Sequence, residues 1–303
     1  MSFTKKASAL LLALVLAFSL SVPAFATTNS DGDMTITSGS VTFTNESYAY
    51  FDAETGEDLT AYTSYAQLSS SSNFAHLPVI INFTGTGLKI NGTTVPTSNN
   101  SYDGYINVSG TCATVEVIYS GGTRTYYVAA YPATFHASVT LDYSNAHRFS
   151  NLSAGASYTG FYGRHCSYLN PATQAQINTA TAAVAALDAK FPDGVYKSAT
   201  YSNIGAGKTA ADILFTFGAE RGLTIGGSTS YISSVEGLDM DSTATYTYYG
   251  YTSGAGGWMY SVTRGDTTMY PMISAGSFKL MPNDVVNWSY TCDLGYDLNY
   301  PMM

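Results

Sequence analysis

Val115-Glu-Val-Ile-Tyr-Ser-Gly-Gly-Thr-Arg-Thr-Tyr-Tyr-Val-Ala-Ala-Tyr131 is the stretch from which the fold class is read. Val115, Val117 and Tyr119 recur at every second position, the period of a half-buried strand. Gly121-Gly122 supplies a turn, and residues 125–131 return as a second strand. Upstream, Leu88-Lys-Ile-Asn-Gly-Thr-Thr-Val95 repeats the plan, with Asn91-Gly92 suited to the two positive φ angles of a type I′ turn. From Met34 to Pro132 the chain keeps to short strands and turns without helical periodicity. Residues 27–134 are therefore expected to form a β-sandwich.

Further along, the pattern changes. Asn170 suits a helix N-cap and Pro171 the first helical position, where its missing N–H costs nothing. Ile177, Thr181, Val184, Leu187 and Phe191 follow at spacings of three and four, and Pro192-Asp-Gly194 ends the run. This predicts a helix over 171–191 inside a connecting segment, 135–195. Beyond it, Thr209-Ala-Ala-Asp212 is a capping box for a short helix that turns Ile213, Leu214 and Phe217 inward and closes at Gly222. Strand patterns come next, near 231–235, 246–251, 258–262 and 285–290. The expected class is mainly β, with an α+β part over 196–303.

The charge balance excludes some partners. Twelve Lys and Arg against 21 Asp and Glu give a formal charge of −9, which disfavours a phosphate-binding groove for nucleic acid and docking to anionic lipid. Only 11% of residues are charged, so the solubilising surface must come from Ser, Thr, Asn and the 26 Tyr. Lys5 and Lys6, the apolar run over 9–20 and Ala24-Phe25-Ala26 have the order of a secretory signal peptide over residues 1–26. That run is too short to span a bilayer, and no other stretch approaches a transmembrane length. A secreted or cell-surface protein is expected. Cys112, Cys166 and Cys292 are too few for a disulfide scaffold, and sequence leaves any pairing among them open.

The chain carries no convincing catalytic motif. Ile204-Gly-Ala-Gly-Lys-Thr209 lacks the first glycine of a phosphate loop, since position 202 is Ser202, and it lacks the preceding apolar strand. Asp52-Ala-Glu-Thr-Gly-Glu-Asp58 has carboxylates but not calcium-loop spacing, and reads more simply as an acidic turn. His76, His136, His147 and His165 have no zinc-like spacing. Asp239 and Asp241 are open to reading as an acid–base pair, but two acids flanking Met240 also suit a polar loop. A non-enzymatic protein with no required cofactor is expected.

The C-terminal phrases are more specific. Gly256-Gly-Trp-Met-Tyr-Ser-Val262 is followed by Tyr270-Pro271, Gly276, Phe278-Lys-Leu280, Asp284-Val-Val286, Trp288 and Tyr290-Thr-Cys-Asp-Leu-Gly295. Together these resemble the bacterial family of transcobalamin-like C-terminal domains. The resemblance implies a β-grasp fold over 196–303 and a small soluble ligand of the corrinoid, cobalamin-like class. It also implies that residues 139–142 open the domain's sheet, and it places Trp258, Tyr260, Tyr231 and Ser228 on the ligand-facing edge. The large helical barrel that accompanies this module in animal transcobalamins has no counterpart here. The stretch 88–131 is similar to cadherin-like or immunoglobulin-like modules of bacterial surface proteins. An alternative reading uses the same aromatic-rich end without a pocket. Tyr248, Tyr249 and Tyr251 would then form an edge that recognises a protein or a glycan.

Overall fold

The computed structural model describes residues 30–300 apart from 53, 54, 111, 193 and 195. The expected signal peptide and its cleavage site lie outside the described residues, as does part of the acidic turn at 52–58. Among the described residues, twenty strands stand against three α-helices, a mainly β protein. No helix among them is long and apolar enough to cross a membrane.

The chain divides into two compact units. The first holds the residues up to Tyr50, Asp58–Thr134 and Pro271–Ser274. Its strands are β1 (Met34–Ser38), β2 (Val41–Thr42), β3 (Thr44–Asp52), β4 (Glu57–Gln67), β5 (Leu77–Phe83), β6 (Gly87–Ile90), β7 (Thr93–Thr94), β8 (Ser101–Ile106), β9 (Ala113–Tyr119) and β10 (Gly122–Tyr131). They form one sheet ordered β2-β1-β5-β8 and a second run ordered β3-β4-β10-β9-β6-β7. Strand alternation explains the core between them. Leu77, Val79, Ile81 and Phe83 of β5 point inward, while Pro78, Ile80 and Asn82 face water. Val115 and Val117 of β9, Val128 of β10 and Leu88 of β6 meet the same apolar cluster. Both hairpins read from sequence are present, with Gly122 opposite Tyr119 and Ile90 opposite Thr93. Strand β4 runs parallel to β10, Tyr62 opposite Tyr126, a pairing that needs a crossover and leaves no turn motif in the sequence.

The second unit holds Phe51–Glu57, Phe135–Tyr270 and the residues from Ala275, so residues 135–195, expected as a connector, fall inside it. Its strands are β11 (Thr134–Asp142), β12 (Tyr196–Gly205), β13 (Ile225–Ser228), β14 (Tyr231–Val235), β15 (Leu238–Asp239), β16 (Thr245–Tyr248), β17 (Tyr251–Gly254), β18 (Gly257–Arg264), β19 (Thr267–Pro271) and β20 (Val285–Thr291). The central run is ordered β12-β11-β20-β18-β19. Val139 pairs with Val286 in a parallel register, so residues 139–142 lie in this sheet as the resemblance implies. Beside it lie a small sheet, β13-β14-β15, and a separate hairpin, β16-β17.

Three helices complete this unit: α1 (Ser144–Ser150), α2 (Gln174–Lys190) and α3 (Ala210–Arg221). Helix α3 starts as its sequence requires. The Thr209 hydroxyl accepts from Asp212 N at 3.2 Å while the Asp212 carboxylate accepts from Thr209 N at 2.9 Å. Gly222 closes it in the left-handed region at φ 65°. Helix α2 starts later than expected. Its cap is Thr173 in a reciprocal box with Gln176, because Asn170 is engaged elsewhere and its backbone N–H donates to Thr245 O at 2.8 Å. Its buried stripe runs through Ile177, Ala180, Val184 and Leu187. Thr181 faces outward, with its hydroxyl bonded back to Ile177 O at 2.7 Å.

A buried ion pair anchors the loop that leads into β20. The Arg264 guanidinium grips Asp284 through two bonds, Nε to Oδ1 at 2.9 Å and Nη2 to Oδ2 at 2.7 Å, with both side chains sealed from water. Asp284 also accepts from Met281 N at 2.8 Å, so the desolvated charges are met by partners on several sides.

Candidate functional site

The residues expected at a ligand edge separate into two pairs. Trp258 and Tyr260 lie on one face of β18, opposite Tyr290 and Trp288 of β20. Trp258 is only 8% exposed, its indole N–H donates to Leu238 O at 2.9 Å, and its ring meets Tyr290 edge-on at 5.4 Å. Tyr260 is half-buried between Phe278 and Trp288, with ring centroids 6.1 and 5.4 Å away. Trp288 lies beneath α3 and reaches Ala210 O at 3.4 Å. These rings are the core of the second unit. The ring that the resemblance places on a ligand-facing edge is thus buried, and the glycines beside it explain how. A Cβ at Gly254 would strike Met240 O, and one at Gly256 would strike the Tyr290 hydroxyl. The close approach that these glycines allow is by the protein itself.

Ser228 and Tyr231 form the second pair. They stand opposite each other where β13 turns into β14, and both are exposed. Burial of part of the ring, then the carboxylates of Asp239 and Asp241, raise the Tyr231 phenol above its ordinary pKa. Asp239 and Asp241 are not poised as an acid–base pair. The Asp239 carboxylate accepts from Asp241 N at 3.1 Å and from the Ser242 hydroxyl at 2.7 Å, which makes it the hinge of a turn.

A second cluster, unread in the sequence, sits at the end of β20. One oxygen of Asp297 accepts from Cys292 N at 2.8 Å and lies 3.0 Å from the Tyr158 hydroxyl, while Thr291 bonds the other. Asp293 accepts from Cys166 N at 3.1 Å. Burial, with Asp297 adding its charge, pushes the Asp293 carboxyl up to about 7, and burial raises Asp297 as well. Burial also holds Tyr158 and Cys292 far above their ordinary values. Raised carboxyls of this kind suit general acids. Here, however, both acids are sealed from solvent and spend their oxygens on backbone and phenol donors. The cluster acts as a clamp that fastens the long loop before α2 to the sheet. Cys166 and Cys292 are buried free thiols. Among the described residues, no group of three metal-ligating side chains comes together.

The third feature is the β16-β17 hairpin. Tyr248 pairs with Tyr251, leaving Tyr249-Gly250 as a two-residue loop. Tyr249 has φ 47° and Gly250 φ 78°, the positive angles that a type I′ turn demands. Tyr249 is 83% exposed, Tyr251 62% and Tyr248 43%. The Tyr249 ring lies 4.3 Å from Tyr248, and Tyr168 of the clamped loop meets Tyr248 edge-on at 4.9 Å. The Tyr249 phenol, hydrogen-bonded to that of Tyr248, raises the latter's pKa. The segment around Leu169 is bonded to one edge of the hairpin through a single β-bridge. Leu169 bridges to Tyr246, Thr247 N donates to Tyr168 O at 3.0 Å, and the Asn170 amide bonds the hydroxyls of Thr245 and Thr247 at 3.1 and 3.0 Å. Tyr168, unlike Tyr248, Tyr249 and Tyr251, leaves no signal in the sequence, because its approach depends on the loop.

No family model, no curated protein and no solved structure matches the chain.

Proposed function

We propose that this is an exported, non-enzymatic recognition protein that engages its partner through the tyrosines of the β16-β17 hairpin. The two-sheet unit, in keeping with its resemblance to cell-surface modules, serves as a spacer. The observation that carries this reading is Tyr249. A bulky aromatic in the left-handed region is an outlier, since that conformation costs an ordinary L-residue about 1–2 kcal/mol. Asn or Gly would fill the position without strain. At 83% exposed, the ring recovers little of that cost by burial. Strain held in place at the most exposed tyrosine of the hairpin fits a contact surface better than a folding element. Tyrosine is also the side chain that presents the most rigid, amphipathic contact area for the least lost entropy.

The rival reading, a corrinoid-binding module, needs an open aromatic face at Trp258. With that indole buried, the hairpin supports recognition better. Two measurements test the choice. The exported chain is passed over immobilised fibrinogen, collagen and mucin, and is separately incubated with cyanocobalamin and fractionated by size. Retention on at least one surface, lost in the Tyr248→Ser/Tyr249→Asn double variant, supports the proposal. Visible absorbance co-eluting with the protein, or surface retention that the double variant leaves intact, overturns it.

A further inference from the structure

We infer that the partner recognised by the Tyr168–Tyr248–Tyr249–Tyr251 surface is a neutral glycan, stacked on the tyrosine rings. This inference rests on the recognition reading above and names the class of its ligand. Three observations carry it.

The first is charge. From Ser242 to Thr263 the chain has no Asp, Glu, Lys or Arg, and neither has the partner stretch from Ser167 to Leu187. An anionic or cationic ligand would find no countercharge on the elements that build this surface. A protein contact would use tyrosine too, but would ordinarily add arginine at its centre, and neither stretch contains one. Tyr248 and Tyr251 share their face of the hairpin with Tyr246 and Ser253, and the opposite face carries Thr245, Thr247 and Thr252, so neither side offers anything but hydroxyls and rings. An uncharged ligand rich in hydroxyl groups matches that inventory.

The second is shape and chemistry. Tyr248 and Tyr251 are paired across the hairpin and therefore project from the same face, with Tyr249 at the tip and Tyr168 alongside. The result is an exposed ridge of rings, not a pit. The faces of aromatic rings are electron-rich. A pyranose presents the complementary surface, a flat array of weakly positive C–H groups rimmed by hydroxyls. Each phenol adds an O–H at the rim that both donates and accepts.

The third is preorganisation. The hairpin is held against the preceding loop by backbone bonds from Thr247 to Tyr168 and from Asn170 to Thr245, at 3.0 and 2.8 Å. The Thr247 and Thr252 hydroxyls tie its two strands together at 2.9 Å. Rings already fixed before contact lose little freedom on binding, which weakly attractive stacking contacts require.

Affinity electrophoresis of the exported chain through gels containing soluble polysaccharides tests the inference. The neutral probes are laminarin, mannan, xyloglucan and amylose; the charged probes are hyaluronan and dextran sulfate. Retardation by at least one neutral polysaccharide is expected, unchanged between about 50 mM and about 500 mM salt, because no ion pair contributes. Tyr249→Asn is the decisive variant, since it relieves the strained backbone and so cannot fail by misfolding. It should weaken retardation at least about tenfold, the effect expected for removing a principal contact. Retardation only in charged gels, none in any neutral gel, or full retardation of Tyr249→Asn overturns the inference. If the chain instead holds to fibrinogen or collagen and Tyr249→Asn releases it, the recognition reading stands and the glycan is wrong. If neither surfaces nor gels retain it, both fall together.

Discussion

Asn91-Gly92, Glu236-Gly237 and Tyr249-Gly250 turn three hairpins on one backbone and differ in the first residue, and the first and last of them make the sharpest contrast. Asn91 and Gly92 link β6 to β7 with φ of 48° and 74°, while Tyr249 and Gly250 link β16 to β17 with φ of 47° and 78°. Asn91 tolerates the left-handed region, and its side chain works within the fold, where its carbonyl oxygen accepts from Thr114 N at 2.9 Å. Tyr249 brings no such tolerance, and its ring points mostly into water. The first turn has the chemistry of a folding element. The second carries a residue that the backbone alone disfavours. The same contrast separates the aromatic side chains of the second unit, where Trp258 and Trp288 build the core and Tyr249 and Tyr251 remain outside it.

The largest effect that tests this contrast is in the core. Trp258→Ala should destabilise the second unit by about 3–5 kcal/mol, because it empties a buried site and leaves Leu238 O without its indole donor. A urea unfolding curve reads the loss directly. A cost near 1 kcal/mol would mean that the ring contributes little to packing and would reopen Trp258 as a ligand platform.

Next in size is the pH dependence of the clamp that brings Tyr168 to the hairpin. Asp293 sits at about 7 against an ordinary value of 3.8, chiefly through burial, and Asp297 is shifted in the same direction. The folded state keeps these protons where the unfolded chain has lost them. Stability therefore falls as pH rises from about 4 to about 7, then levels off. Asp212 works with the opposite sign. Burial pulls it upward, but the bonds from Thr209 and the charge of Lys208 hold it below its ordinary value, so its contribution is lost only in stronger acid. Thermal melts should give a higher Tm at about pH 5 than at about pH 7.5, and Asp293→Asn should flatten that slope. A wild-type Tm that rises over this interval would show that the clamp carries a charged Asp293.

How much of this was legible in the sequence follows from the range of each interaction. Asn91-Gly92 and the Thr209–Asp212 box could be read because each signal completes itself within four residues, and the structure reproduces both. The mainly β class was legible from period-two alternation. The cap of α2 was misread at Asn170 because that residue is captured by Thr245, 75 positions away. The burial of Trp258 was hidden for a similar reason. Its flanking glycines advertise close approach, but only the fold shows that Met240 and Tyr290 are what approach. The Asp293 and Asp297 clamp depends on a loop more than a hundred residues earlier and leaves no motif. Tyr249-Gly250 escaped for the reason that makes it informative: nothing in its residue types predicts that turn.

Exchanging the turn residues sharpens the comparison at a smaller scale. Tyr249→Asn should stabilise the protein by about 1 kcal/mol, since it removes a left-handed penalty without disturbing a buried contact. Asn91→Tyr should cost about 1–2 kcal/mol, because it installs that penalty and removes the bond to Thr114 N. Opposite signs in two differential melts are the expected result. A loss of stability in both variants would show that Tyr249 is a packing residue and not a strained one.

The smallest stability effect belongs to Tyr251. It pairs with Tyr248 in the hairpin and is 62% exposed, so truncating it deletes little buried surface. Surface changes of this kind usually fall within about 0.5 kcal/mol. Cross-strand aromatic pairs contribute about 0.2–1 kcal/mol, which sets the upper bound on what Tyr251→Ala can lose. If the ring serves recognition, the same variant should weaken retention on a neutral polysaccharide by about tenfold, equivalent to about 1.4 kcal/mol of binding free energy. The two measurements should thus diverge, with binding falling much further than stability. Trp258→Ala should show the reverse order, its fold failing before any contact is tested. If Tyr251→Ala instead lowers Tm as far as Trp258→Ala does, the hairpin belongs to the core, and the distinction between its outward tyrosines and the inward rings of β18 and β20 disappears.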